Sequence, residues 1–269
     1  MSNLPSHASV VVIGGGIMGC STLYHLGKLG VSDAILLERN KLTSGTTWHS
    51  AAQVRALRNS QNLTRMIQYS VELYSQLEHE TGQSVGWIQK GSLSIATTMD
   101  RLIHIKRQEA LANAYGLNAI SISKGEALER WPMMNGDDVL GAVWSPDDGR
   151  VSPSDVCAAL IKGARKTDNQ IFENCGVSAV LTKNGKVVGV ETSAGVVMCD
   201  AIAVCSGLWS REIGAMAGAE IPVLACEHFY LLTKPIDGIQ GNTPTLSDHD
   251  SHLYIRDDSG GLLVGCFEP

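Results

Sequence analysis

Residues 9–19 read SVVVIGGGIMG, and no other stretch restricts the fold of this chain as strongly. The apolar run 10–13 has the composition of a strand buried on both faces. It stops in Gly14, Gly16 and Gly19, a G-x-G-x-x-G spacing. Gly14 permits a tight turn, Gly16 lets the backbone approach a pyrophosphate, and Gly19 lets the next helix pack close to the strand. Ile17, Leu23, Leu26 and Leu29 then form a plausible buried helix face, and Gly30 is a suitable stop. AILLE at 34–38 reads as a second buried strand ending in Glu38, nineteen residues after Gly19, where a carboxylate accepts ribose hydroxyl protons. The order strand, glycine turn, helix, strand, acid predicts a βαβ unit that holds a dinucleotide at a helix N-terminus. The bland alternative is a glycine-rich turn in some other α/β protein, and the full βαβ context weighs against it.

The glycine motif does not separate FAD from NAD; residues 43–53, TSGTTWHSAAQ, do. With this stretch the chain resembles the FAD-dependent amine oxidoreductases of the D-amino-acid oxidase superfamily. Within them it is similar to the flavin domain of dimethylglycine and sarcosine dehydrogenases, and the resemblance runs through most of the 269 residues. It implies FAD held by Gly14, Gly16, Gly19, Glu38 and the stretch containing Thr46, Trp48 and His49. His49 falls where those enzymes bind flavin covalently. Spacing alone favours a histidine packed in a loop beside Trp48. The resemblance also gives Val177 a backbone contact to adenine and Gly207 a close approach of the chain to the flavin.

With 44% hydrophobic and 18% charged residues the chain has an ordinary globular composition. A net charge of −6 gives no support for nucleic-acid binding. The seven cysteines are scattered without C-x-x-C, which predicts reduced thiols and neither a disulfide framework nor a zinc site. The N-terminus lacks a basic secretory or arginine-rich presequence pattern, and no apolar run is long enough to span a bilayer, so the expectation is cytoplasmic.

Periodicity predicts helices over 60–81, closed by Gly82, and over 99–115, stopped by Gly116. Two short strands are expected in 85–97, broken at Lys90 and Gly91. Ser123 and Glu126 have capping-box spacing ahead of a short helix ended by Pro132. Residues 145–153 read as a loop, then Ser152 and Pro153 open a helix to about Lys166. Strands at 176–182 and 187–192 flank Asn184-Gly185, a hairpin signal, and two further strands follow at 196–200 and 201–207. From 221 the chain reads as long strands, 221–233, 251–257 and 261–269, which resemble the family's antiparallel sheet. The fold expected is α/β: a Rossmann-like FAD-binding domain (1–84 and 145–220) interleaved with an α+β substrate domain built on an antiparallel sheet (85–144 and 221–269).

Amine oxidation requires a neutral nitrogen, so a group that accepts a proton near neutral pH is sought, and histidine suits. The resemblance points to His228, in CEHFY on an expected strand, and to Tyr254, in HLYIRD. Either could instead simply line the sheet. A substrate carboxylate wants arginine. Arg55 and Arg58 in RALR and Arg256 beside Tyr254 are the candidates, and at least two of them are better read as ordinary surface arginines. The remaining histidines show no metal-ligand spacing, and no metal is assigned. The function expected is FAD-dependent oxidation of the C–N bond of a small N-methylated amino acid, with an unidentified electron acceptor. Its rivals are oxidation of another amino acid or secondary amine, and a non-catalytic flavin-binding fragment. Related flavin domains continue beyond GCFEP with more sheet and a folate-binding region, so a C-terminally truncated form is expected.

Overall fold

The computed structural model describes residues 4–239 and 241–267 and divides into two compact units. The first comprises the chain up to Ser50, Leu77–Val85 and Ser152–Cys226; the second comprises Ala51–Gln76, Gly86–Val151 and the chain from Glu227. In chain order the elements begin with β1 (His7–Ile13), α1 (Ile17–Lys28), β2 (Ile35–Leu37), β3 (Gln53–Val54) and α2 (Gln61–Thr81). They continue with β4 (Ser92–Ala96), α3 (Met99–Ala114), β5 (Ile120–Ser123), α4 (Lys124–Arg130), β6 (Gly141–Ser145) and β7 (Gly149–Arg150). Next come α5 (Pro153–Ala164), β8 (Gln170–Phe172), β9 (Val177–Lys183), β10 (Lys186–Thr192), β11 (Gly195–Val204) and α6 (Ser210–Met216). The last strands are β12 (Tyr230–Leu232), β13 (Thr245–Asp248), β14 (Leu253–Asp258) and β15 (Gly261–Cys266).

The first unit is organised on a six-stranded sheet in the order β8-β2-β1-β11-β10-β9. Strands β8, β2, β1 and β11 are mutually parallel, and the β9–β10 hairpin extends the sheet antiparallel to β11. A strand flanked on both sides within such a sheet needs apolar residues on both faces. Val11 and Val12 are accordingly both fully buried. One core holds Val11, Ile13, Ile35, Leu37, Phe172, Val190 and Val197. α1 buries Gly19, Cys20, Leu23, Tyr24 and Gly27. Leu29, expected on that face, is instead the exposed cap residue. Asn184 and Gly185 both adopt positive φ, 53° and 73°, the conformation a two-residue hairpin turn demands.

The second unit carries a seven-stranded sheet, β12-β15-β14-β13-β4-β6-β5. All its pairings are antiparallel except β13 with β4, so the expected antiparallel sheet is in fact mixed. Leu93, Ile95, Ile122, Trp131, Ala142 and Leu246 form a core on it. The capping box is present: the Ser123 hydroxyl accepts from Glu126 N–H, and the Glu126 carboxylate accepts from Ser123 N–H at 2.8 Å.

Several expectations are corrected. Residues 51–76, expected in the first unit, belong to the second. β3 pairs there with β7, and Ala56 N–H donates to Asp148 Oδ1 at 2.9 Å. Those same contacts turn part of the 145–153 loop into a strand. In 85–97 only β4 is regular, with Ile88 bridging Arg150. The two strands expected across 196–207 are one, β11, with exposed Asp200 in its middle. The long strand at 221–233 shrinks to the three residues of β12, and β13 forms where no strand is expected. On α2 the buried positions are Thr64, Leu73, Leu77 and Thr81, while Leu63 and Met66 of the expected apolar face are exposed. The last two residues of the 261–269 strand lie outside the described residues.

Candidate functional site

In the first unit the turn between β1 and α1 opens onto a cavity of about 420 Å³, within the usual size range of a small-molecule site. Gly14, Gly15, Gly16 and Ile17 line one part of it, Glu38, Arg39 and Asn40 another, and Thr46, Thr47, Val177, Gly207 and Trp209 a third. Gly14 has φ 113°, and a Cβ there would overlap the carbonyl oxygen of Cys205. Gly19 does not line the cavity; its Cβ would overlap the carbonyl oxygen of Gly14, so the glycine lets α1 rise directly from the turn. Gly16 is the N-cap of α1 and has no side chain to offer the helix N–H groups. The Thr47 hydroxyl supplies one acceptor, to Ile17 N–H at 3.0 Å. The N–H groups of Gly16 and Met18 have no protein partner among the described residues. Unpaired N–H groups at a helix start form an anion site.

Glu38 follows β2 directly. Its Oε2 accepts from Gly15 N–H at 2.7 Å and its Oε1 from Asn40 N–H at 2.8 Å. Each oxygen is held by one backbone donor and retains a lone pair for a ribose hydroxyl. The Arg39 guanidinium lies 4.0 Å over the Trp209 ring, and both line the cavity. A glycine cradle that any Cβ would fill, free helix N–H groups, and a carboxylate at the end of the second strand together fit the adenosine and pyrophosphate of a dinucleotide such as FAD.

Of the expected cofactor residues, Gly14, Gly16, Glu38, Thr46, Val177 and Gly207 converge on this cavity, with Gly207 at φ 58°. Trp48 and His49 do not line it. They lie in a short 3₁₀ turn, Thr47–His49, both exposed, with ring centroids 3.7 Å apart. Arg39 and Trp209 carry no motif of their own, and Thr47, within the TSGTTWHSAAQ stretch, is not among the expected residues; the fold brings all three to the cavity wall.

In the second unit His228 is not on a strand, as expected, but two residues ahead of β12, exposed in irregular chain. It still meets Tyr254, with Nε2 and the phenol oxygen sharing a hydrogen bond of 3.0 Å and the rings stacked. Phe267 packs on Tyr254 at 5.2 Å between centroids and on His249 at 5.1 Å, which extends the pair into a file of four rings. Burial, and then the charges of Arg55 and Arg101, push the His249 imidazole down to about 4.

The three arginines separate. Arg256, expected at a substrate carboxylate, is buried and committed. Its Nε donates to Ala51 O at 2.7 Å, its Nη1 to Asp257 O at 2.8 Å, and its Nη2 pairs with Asp258 at 2.8 Å. It ties the chain at Ala51 to β14. Arg58 is exposed and donates to the carbonyl of Leu57. Arg55 is the one whose side chain is half-buried and donates to the hydroxyl of Ser247, the cross-strand partner of Tyr254. Beside it is Asp148, buried, which accepts from Ser92 Oγ at 2.6 Å. Burial pushes the Asp148 carboxyl up, against the Ser92 hydrogen bond and the Arg55 charge.

Comparison with known proteins identifies the framework. Residues 9–268 match the family described as DAO, FAD dependent oxidoreductase. The chain is 42% identical to the mitochondrial sarcosine dehydrogenase of Mus musculus, over 98% of this chain and 29% of that protein. It is 44% identical to the mitochondrial pyruvate dehydrogenase phosphatase regulatory subunit of Mus musculus, over 98% and 30%. With the formaldehyde-forming 4-methylaminobutanoate oxidase of Paenarthrobacter nicotinovorans the identity is 40%, over 99% and 32%. The chain thus spans less than a third of the length of these relatives. Among solved structures, the L-proline dehydrogenase of P. horikoshii superposes with a TM-score of 0.88 at 27% identity, over 97% of this chain and 70% of that one. The match covers nearly the whole chain, the cavity has the parts a dinucleotide needs, and this protein belongs to the FAD dependent oxidoreductase family.

Proposed function

We propose that this chain serves the oxidation of the C–N bond of a small N-methylated amino acid of the sarcosine or dimethylglycine type. The observation that carries the proposal is the 40–42% identity, over almost the whole chain, to two enzymes named for N-methylated amino acids. Bound FAD supplies the two-electron acceptor for the hydride leaving the methyl carbon. The turn at residues 14–17 and Glu38 hold the adenosine and pyrophosphate. The Tyr254 hydroxyl takes the ammonium proton as it passes its own to His228 Nε2 across their 3.0 Å hydrogen bond, leaving the nitrogen lone pair free to assist the departing hydride. The Tyr254 hydroxyl holds that imidazole, and Arg55 offers its remaining N–H groups to the substrate carboxylate. Water then adds to the resulting iminium carbon and releases formaldehyde. His49 is the residue we propose for a covalent bond to the flavin, supported by its place in the TSGTTWHSAAQ stretch.

Anaerobic mixing with sarcosine, dimethylglycine, 4-methylaminobutanoate and a panel of D-amino acids tests the substrate class. Loss of the visible flavin absorption with an N-methylated substrate is expected. Reduction by other amines alone would sink the proposal. The 44% identity to a regulatory subunit favours a second reading, a flavin-binding chain without catalysis. Stoichiometric flavin that no amine reduces is the outcome that favours it. Acid precipitation tests the covalent bond: colour should stay with the precipitate and leave it in His49→Ala. The seven unpaired cysteines support a reducing compartment. The cytoplasm is our choice, and cell fractionation distinguishes it from the mitochondrial location of the mammalian relatives.

A further inference from the structure

Tyr254 and Gly265 are cross-strand partners on β14 and β15, and Gly265 is in turn the partner of Tyr230 on β12. The three positions form one row across the sheet, and partners in such a row project from the same face. A tyrosine in this setting ordinarily stands off the sheet beside its neighbour's side chain. Here it lies over β15. A Cβ built on Gly265 would overlap Tyr254 Cζ and the phenol oxygen, and would lie 2.6 Å from Cε1. The outer end of the ring therefore occupies the volume that any other residue at this position would fill. Beyond β15 lies the chain leading into β12, and there the hydroxyl reaches His228 Nε2 at 3.0 Å.

Gly265 has no need of special backbone freedom, since its φ is not among the positive values found in this chain. In a strand, glycine without such a need weakens the structure relative to alanine. Its use here is steric. We infer that Gly265 is a positioning residue: the missing side chain lets the Tyr254 ring cross β15 and hold the His228 imidazole. The methyl group added by Gly265→Ala would push the ring off β15 and break the pair, with both polar side chains still present. The kinetic consequence rests on the proposed role of His228 and Tyr254; the structural one does not.

The test uses Gly265→Ala, Tyr254→Phe, Tyr254→Ala and the double variant Tyr254→Ala/Gly265→Ala. Gly265→Ala should lower the thermal midpoint, or prevent folding, in the natural background. In the Tyr254→Ala background the same change should leave the midpoint unchanged or raise it, because the clash has gone. The ¹⁵N resonance of His228 Nε2, assigned by its loss in His228→Gln, should move in Gly265→Ala to its position in Tyr254→Phe. With an N-methylated substrate, Gly265→Ala should slow anaerobic flavin reduction as much as Tyr254→Phe does, by about 10²-fold. Equal midpoint changes in both backgrounds would overturn the inference. So would an Nε2 resonance that shifts in Tyr254→Phe but stays in place in Gly265→Ala. If the midpoints and the resonance behave as expected but neither variant slows reduction, Gly265 still positions the pair and the proposed chemistry of His228 is what fails.

Discussion

Glu38 shows how much one side chain can organise. Its carboxylate is fixed by two backbone N–H groups, one from the glycine turn and one from its own strand end. A hydrogen bond to a charged group contributes about 1.5–3 kcal/mol, so Glu38→Gln should weaken FAD binding about 10–100-fold, read by flavin fluorescence titration. His249 gives a pH signature. Its pKa falls from the ordinary 6.5 to about 4 because burial and the Arg55 and Arg101 charges disfavour the imidazolium. An unfolded chain takes up that proton near pH 6.5 and the folded chain does not. The contribution of His249 is therefore fully present above about 6.5 and is lost as the pH falls toward about 4. His249→Gln should flatten that arm of the stability profile, measured as urea midpoints at stepped pH. An unchanged slope in the variant would mean that other groups carry it. Arg256 is a third residue-scale lesson: an arginine beside a candidate tyrosine reads as a carboxylate fork, yet its donors are spent on Ala51, Asp257 and Asp258.

At the scale of elements, local chemistry is legible wherever it is self-contained. The expected and observed limits of α2 and α3 agree to within one residue, because apolar spacing and a terminal glycine are properties of the segment itself. The same holds for the capping box of α4 and for the Asn184-Gly185 hairpin. Ser123→Ala should cost about 1 kcal/mol in global stability, measured by chemical denaturation, with Glu126→Ala lowering stability in the same direction. β12 and β13 depart from expectation for one reason. The apolar run at 221–233 has strand composition, but only Tyr230–Leu232 finds a partner, β15, so only those residues become a strand. Thr245–Asp248 has little strand signal of its own and becomes one by pairing between β4 and β14.

At the scale of the whole molecule, each compact unit draws on separated segments of chain. The FAD cavity is lined wholly by residues of the first unit, from the β1–α1 turn to α6. FAD at about 100 times its dissociation constant should stabilise that unit by about 2.7 kcal/mol. Hydrogen exchange should show the protection concentrated in residues 7–50 and 170–216. Protection confined to residues 86–151 instead would remove FAD from this cavity. The sequence by itself determined the βαβ nucleus, its glycines, Glu38 and the family, because steric demands on a turn and the distance from turn to acid are written in consecutive residues. It also named His228 and Tyr254, with Tyr254 on the strand expected for it and His228 ahead of the strand that forms. Only the tertiary structure decided that Thr47 caps α1, that Arg39 stacks on Trp209, that Arg55 rather than Arg256 has donors to spare, and that Gly265 makes room for the Tyr254 ring. Each of these depends on which residues strand register and packing bring together from distant parts of the chain, and neither composition nor local spacing carries that information.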